Sequence, residues 1–420
     1  MNALAAPRQR PLSLARLLDP VVRDDPYPFY RELSDAGGVV WDPYLHTWLV
    51  TGYADVVRVF QGGLAARTPS AATFREMGLP MLAPAAEVMA RMMMFTDPPA
   101  HMKVRAACAA TFTPRRVQQL RERMVDLCAD LLATMSDGDE WNVLERFAEP
   151  LPAMITTDLV GLPIDDWRQL KRWSDAFADL IGNFHQSPEE AIAVAQALEE
   201  ISDYLAQAIA DQRRHPRDGL IGALLAQDDG ASPFDDQQII ANVLISLVGG
   251  LGSTTHLINT GLATLIAGPG AIAAMKRDPR VMASGIEELL RYESPSQFSG
   301  RIAPYDLDLG GQRISGGDAI MAMTAAANRD PAMFPDPDRL DVHRSPNRHL
   351  AFAWGPHFCF GATLARLACS IAYDSLFERV SALHFADRPR EWRDNLSLRG
   401  LRSLWIIPTL SRKPDDASRH

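Results

Sequence analysis

The sequence predicts a mostly helical fold with a minor β portion, and three observations carry that expectation. Helical periodicity dominates from about residue 98 to 290. The stretch from Gln237 to Met275 contains no Asp, Glu, Lys or Arg, only His256, and reads as a helix through the middle of a large core. Beyond residue 295 Pro, Gly and Asp rise, and short strands alternate with turns.

Taken in chain order, residues 1–65 mix turn signals with short β-rich runs. Asp25-Pro26-Tyr27-Pro28 marks a turn and a helix start. Trp48-Leu49-Val50 and Val56 to Phe60 read as extended or short helical runs flanked by Gly52 and Gly62-Gly63. Residues 64–95, rich in Ala, Met and Pro, read as a long adaptable loop. Pro98-Pro99 opens a helix through Arg105 to Phe112, Thr113-Pro114 the next, and Ser187-Pro188-Glu189-Glu190 another. Ser232-Pro233-Phe234-Asp235 resembles a capping box. The helix it starts should run to about Ala267, roughly 50 Å at 1.5 Å per residue. Strands are expected at Asp306 to Leu309 and Ala319 to Met321, irregular chain over 328–358, and a helix from Gly361 to about Val380. A hairpin is expected from Leu396 to Leu404 and Trp405 to Ile407. No repeat or linker interrupts the chain, so one domain over 1–420 is expected, its first ~20 residues a loosely ordered arm.

Composition narrows the function classes. The chain has 420 residues, 42 Lys+Arg against 52 Asp+Glu, and is 47% hydrophobic. A net charge of −10 argues against a nucleic-acid partner, which needs clustered cations. The four cysteines form no CxxC pair, so neither a disulfide framework nor a ribbon-type zinc site is indicated. Arg8, Arg10 and Arg16 interrupt any apolar N-terminal core, which reads as neither signal peptide nor anchor. Polar residues scattered from Asn242 to Thr260, without flanking basic clusters, argue against a membrane span.

Two stretches invite a chemical reading. Gly250-Leu251-Gly252-Ser253-Thr254-Thr255 imitates a nucleotide-binding loop, but lacks the third glycine, the distant acid and any GK[ST]. Phe352 to Gly361 places Cys359 just before a helix, where free backbone N–H groups favour thiolate. Gly355 and Gly361 would let backbone approach something flat and bulky. A buried structural cysteine is the plainer alternative, and a zinc site from His343, His349, His357 and Cys359 matches no common spacing.

This segment resembles the haem-thiolate signature of the cytochrome P450 family, FxxGxHxCxG, with Phe352, Gly355, His357, Cys359 and Gly361 in place. Three further matches follow the family's order. Glu288-Leu289-Leu290-Arg291 fits ExxR; Ala327 to Pro331 with Phe334 to Pro337 fits the segment that packs Arg291; Asp97 to Arg105 looks like the helix gripping the haem propionates.

The resemblance implies a cytochrome P450 fold binding haem b (iron protoporphyrin IX) between the central helix and the Cys359 loop. Cys359 would be the axial ligand of the haem iron. His101, Arg105, Arg301 and His357 would hold the propionates through charge-assisted hydrogen bonds. Phe352 would pack beside the thiolate, with Gly355 and Gly361 shaping the loop. Glu288 and Arg291 would be structural. Ile245, Val248, Gly249, Gln297, Phe298 and the turn around Leu401 would line an apolar substrate pocket, with residues 83–95 as a lid.

In one place the sequence departs from the family. The central helix usually carries an acid followed by an alcohol that deliver protons. Here the window Gly249 to Ser253 makes Gly252 the acid position and Ser253 the alcohol; moved by one residue, the alcohol is Thr254. Neither register has a carboxylate, so Ser253 and Thr254 are the candidate catalytic residues.

The resemblance implies a cytoplasmic monooxygenase, with no membrane and no nucleic-acid partner. It would insert one atom of O2 into a hydrophobic or mixed small-molecule substrate, such as a secondary metabolite. Electrons would come from a ferredoxin or similar donor and its reductase, steered by Arg115, Arg116, Arg344, Arg348 and Arg366. Peroxide-driven oxidation, oxidative coupling or dehydrogenation is the alternative that Gly252 raises. A non-catalytic haem-thiolate ligand binder is a second.

Overall fold

The uncharged stretch does become the centre of the fold, as two helices instead of one. The computed structural model describes residues 11–183, 186–226 and 233–411; 57% of the protein is helical and 11% strand. Helix Asp236–Leu251 is followed by Ser253–Ala267, with Gly252 between them. At the join the Gly252 amide reaches the Val248 carbonyl at a long 3.4 Å. Ser253 and Thr255 hydroxyls donate back to the Gly249 and Leu251 carbonyls (2.9 and 2.6 Å). Back-bonding hydroxyls beside glycines are a known cause of helix bending.

The start of this helix also differs from expectation. Asp235 caps it by accepting from the Gln238 amide at 2.7 Å, and Gln238 accepts from the Asp235 amide at 3.1 Å. The expected Ser232 cap lies outside the described residues. The pair Asp236–Ala267 is apolar and long enough to cross a membrane, but 78% of its most apolar window is buried within the protein. Its apolar surface meets protein: helices Pro150–Val160 and Trp167–Gly182 on the first half, Pro279–Tyr292 and Ala362–Arg379 on the second. Gly250 permits a close crossing with helix Pro150–Val160, because a β-carbon there would lie 2.6 Å from the Thr156 hydroxyl. On the other side, the Tyr373 hydroxyl donates to the Leu257 and Ile258 carbonyls at 3.0 and 3.1 Å.

The β portion is peripheral. A five-stranded sheet runs Val39–Asp42, Thr47–Val50, Ala319–Ala322, Ser299–Ile302, Leu64–Ala65, with Thr47–Val50 and Ala319–Ala322 parallel. Its role for the site is to carry Arg301. A three-stranded sheet pairs Trp405–Leu410 with Trp141–Asn142 and Val380–Phe385. The expected hairpin within 396–407 is therefore replaced by long-range pairing; Leu398 and Leu401 make only isolated bridges to Ser296 and Trp392.

Two further expectations are corrected. Residues 64–95 contain helices Ala71–Glu76 and Ala83–Met89 and bury Leu82, Met92 and Met93, so packed helices replace the adaptable loop. The arm is ordered where it is described: Leu14 is buried, and Ser13 donates to Asp42 at 2.9 Å. Helices opened by Pro98-Pro99, Thr113-Pro114 and Ser187 occur as expected, the last with a complete capping box to Glu190.

Candidate functional site

Cys359 sits on a tight loop before helix Ala362–Arg379. Its amide donates to the Phe352 carbonyl at 2.9 Å, closing the loop. Gly355 has φ +72°, and a β-carbon there would lie 2.7 Å from the Phe60 carbonyl, so only glycine fits. Phe352 is half-buried with the Arg366 guanidinium 4.5 Å from its ring centroid. Arg366 is fixed in turn by paired 2.7 Å bonds to Glu287, which His349 also contacts at 3.0 Å.

Cys359 keeps accessible surface while protein surrounds it on most sides, so it faces a hollow. Gly249, on the mostly buried central helix, is likewise exposed, and a β-carbon on it would meet nothing within 4 Å. Gly249 continues a stripe of half-buried residues, Ile245, Val248 and Ser253, at helical spacing. Burial raises the Cys359 thiol above its ordinary value; the Gly361 and Ala362 amides and Arg105 and Arg366 pull it down without prevailing.

On one side of the hollow four cationic or cation-capable residues converge. Arg105 donates to the Phe358 carbonyl at 2.5 Å. The His101 and His357 rings lie 4.1 Å apart. Arg301 is buried, its Nη1 satisfied by Ser299 and Gly300 (2.9 and 2.7 Å), its Nε unpartnered. His101 Nδ1 is also buried without a partner. Burial, with the neighbouring positive charge, lowers His101 and takes His357 down to about 4, and burial alone takes Arg301 to about 10. Asp97 opposes this but is already engaged by Arg67 and the Ala65 amide. Such a cluster calls for a multiply charged anion. The paired carboxylates at the edge of a haem fit it, the Cys359 sulfur supplies a soft metal donor, and the hollow supplies room.

Glu288 and Arg291 stand apart from the hollow and are fully buried. Arg291 makes two 2.8 Å bonds to Glu288 and donates to the Asn328 and Pro337 carbonyls at 2.9 and 2.8 Å. Arg344 and Asn347 add bonds to Glu288 at 3.1 Å each. This network ties helix Pro279–Tyr292 to the irregular chain that leads into the cysteine loop.

Several expected residues fall elsewhere. Gln297 accepts from the Tyr30 hydroxyl at 2.8 Å and donates to the Ser294 carbonyl at 2.7 Å. Phe298 packs with Leu14, Tyr30 and Leu49, and Leu401 joins the main core with its amide on the Thr260 hydroxyl (3.3 Å). All three side chains are buried, and Leu398 reaches the central helix at Gly252. The Ser253 hydroxyl is spent on the Gly249 carbonyl, and Thr254 is buried on the core side. Arg344, Arg366 and Arg116 are paired with Glu288, Glu287 and Asp218, which weakens the expected basic face. Among the described residues no cluster of three or more His, Cys, Asp or Glu could hold a metal, so the zinc alternative finds no support.

Sequence reasoning missed Asn242. Its side chain accepts from the Met93 amide (2.8 Å) and donates to the Arg91 and Gln238 carbonyls (3.0 and 2.8 Å), stapling the 91–93 turn to the central helix. No local pattern signals a bond across 149 residues.

Comparison with known proteins agrees with this geometry. The family profile described as Cytochrome P450 matches residues 70–391. The chain is 33% identical over 362 residues to the polyketide biosynthesis cytochrome P450 PksS of Bacillus subtilis (strain 168), covering 85% of this chain and 88% of that protein. It is 34% identical over 392 residues to the cytochrome P450 monooxygenase PikC of Streptomyces venezuelae, covering 91% of each. Among solved structures, P450BioI in complex with hexadec-9Z-enoic acid ligated acyl carrier protein superposes with a TM-score of 0.85. That match has 28% identity and covers 92% of this chain and 100% of that one.

Proposed function

The chain belongs to the cytochrome P450 family, oxidoreductase monooxygenases with a haem-iron cofactor, and from that premise we propose roles for its residues. Cys359 supplies the axial thiolate to the iron of haem b, and His101, Arg105, Arg301 and His357 hold its two propionates. When bound, the haem iron activates O2 so that one oxygen atom enters the substrate.

The remaining work falls to the chain. Phe352, held under Arg366, limits water near the sulfur. Arg105 bridges the Phe358 carbonyl and the anion site, coupling cofactor retention to the shape of the cysteine loop. Ile245, Val248 and Gly249 form the apolar wall against which the substrate rests, and the absent side chain at Gly249 leaves room above the reaction centre. Such a wall suits a hydrophobic or mixed small molecule of secondary metabolism, as the polyketide context of PksS suggests. Trp354 and Phe358 of the cysteine loop and Met102 are exposed, and a ferredoxin in the cytoplasm would dock on these apolar side chains.

The observation that carries this reading is the convergence of His101, Arg105, Arg301 and His357 beside the Cys359 loop, with His101 Nδ1 and Arg301 Nε buried and unpartnered. Haem titration into apoprotein tests it. Arg301→Leu and His101→Leu should each weaken haem binding at least tenfold, since each removes a charge-assisted bond worth about 1.5–3 kcal/mol. Unchanged affinity in both would overturn the assignment.

A further inference from the structure

One buried titratable group on the central helix has no part in the reading above: His256. It is 2% exposed, and its amide donates to the Gly252 carbonyl at 3.1 Å, one helical turn back. The segment 398–401 covers this side of the helix. A methyl of Leu398 faces Gly252, the His256 ring presses on Gly400, where a β-carbon would lie 1.9 Å from Nδ1, and the Leu401 amide bonds Thr260. Gly252, His256 and Thr260 therefore form one stripe at four-residue spacing.

Polar atoms on this side lack protein partners. His256 Nδ1 and both the Oδ1 and Nδ2 of Asn259, whose side chain is wholly buried, make no hydrogen bond to protein. Buried polar groups are nearly always satisfied, and an unmet one costs about 1–3 kcal/mol. Three such atoms within one helical turn are the signature of internal water. A route to solvent is close. Arg393, near enough to influence the His256 ring, lines a cavity of 770 Å³ with Asp179, Asp394, Leu396 and Leu144. The other charged groups on this side are Lys171, which also influences the ring, and its partners Glu149 and Asp175.

We propose that His256 and Asn259 bind internal water, and that this hydrated site passes protons from the Arg393 cavity to the Gly252 groove, replacing the carboxylate the central helix lacks. The proposal rests on the reading of Gly252 as the acid position. Burial and the positive charges of Arg393 and Lys171 hold the imidazole well below its ordinary range, so it works as a neutral relay. A proton taken from water at one ring nitrogen is matched by release of the proton on the other to water on the groove side. The ring ends as the opposite tautomer and resets by exchange with water. No electron moves in this step; the redox partner supplies those the reaction consumes.

Two measurements on the holoenzyme test it. A high-resolution crystal structure should show ordered water within about 3 Å of His256 Nδ1 and the Asn259 amide; a dry site overturns the proposal. Peroxide released per electron pair, measured in H2O and D2O, reads the relay. His256→Leu should raise that loss several-fold and abolish its solvent isotope dependence, while His256→Gln, which keeps a donor and an acceptor, should recover most of the coupling. Wild-type coupling in His256→Leu overturns the relay; if that variant does not fold, Asn259→Leu takes its place under the same criterion. The carbon monoxide spectrum of each variant should stay that of a thiolate haem, so its loss would mark failure of the cofactor reading instead.

Discussion

A methyl group of Leu398 lies 3.0 Å from the position a β-carbon on Gly252 would take. Leucine thus stands against the position that the family pattern assigns to the acid, and we propose that the two residues act as a pair. Gly252→Asp alone should overpack the groove, cost about 1–3 kcal/mol and leave electron coupling unimproved. Gly252→Asp with Leu398→Ala should regain stability and lower peroxide loss. Thermal unfolding and peroxide assays on both variants check this; a single Gly252→Asp that improves coupling would contradict the pairing.

Ser253 is the second residue on that groove, and its proton is committed to the Gly249 carbonyl at 2.9 Å. Ser253→Ala should therefore change coupling little, and less than His256→Leu does. A large rise in peroxide release from Ser253→Ala would return the proton-donor role to the serine.

What was legible in the sequence is what chemistry demands locally. The cysteine loop, the Glu288–Arg291 pair and the His101/Arg105 helix each announce themselves within ten residues, because a ligand loop, a buried ion pair and a helix face are short-range objects. Less legible are the residues whose surroundings depend on which face of a strand or turn looks inward. Gln297 turns toward Tyr30, 267 residues away in sequence, and Leu401 toward Thr260. The break at Gly252 was hidden for a similar reason: glycine permits a bend, but the bend is set by hydroxyls bonding back and by what crosses the helix.

Asn242 offers a test of how the 91–93 turn is held. Asn242→Leu leaves the Met93 amide and the Arg91 carbonyl unpaired, each worth about 1–3 kcal/mol when buried. Hydrogen exchange across residues 91–95 should accelerate, and KM should rise more than kcat falls. Unchanged exchange there would show that packing of Met92 and Met93 alone holds the turn.

Acid sensitivity should trace to Glu287. Burial pushes its carboxyl up, but hydrogen bonds from Arg366 and His349 outweigh that and hold it at about 2, against an ordinary 4.5. A depressed carboxyl stabilises the fold above its unfolded value and loses that contribution as pH falls through its folded value. Up to about 3 kcal/mol should therefore disappear between roughly pH 4.5 and 2. Denaturant unfolding of wild type and Glu287→Gln across that window checks it: the variant should lack this part of the slope, and parallel curves would contradict the assignment.

Cys359 is the proposed ligand of the haem iron, and the reduced carbon monoxide spectrum reads its sulfur directly. Cys108, Cys128 and Cys369 are buried within the core, where burial raises all three thiols. Their alanine variants should keep the red-shifted band of a thiolate-ligated haem, with only a modest loss of stability from the small cavity. Cys359→Ala should lose that band and all monooxygenase activity. Retention of the thiolate band in Cys359→Ala would contradict the central claim.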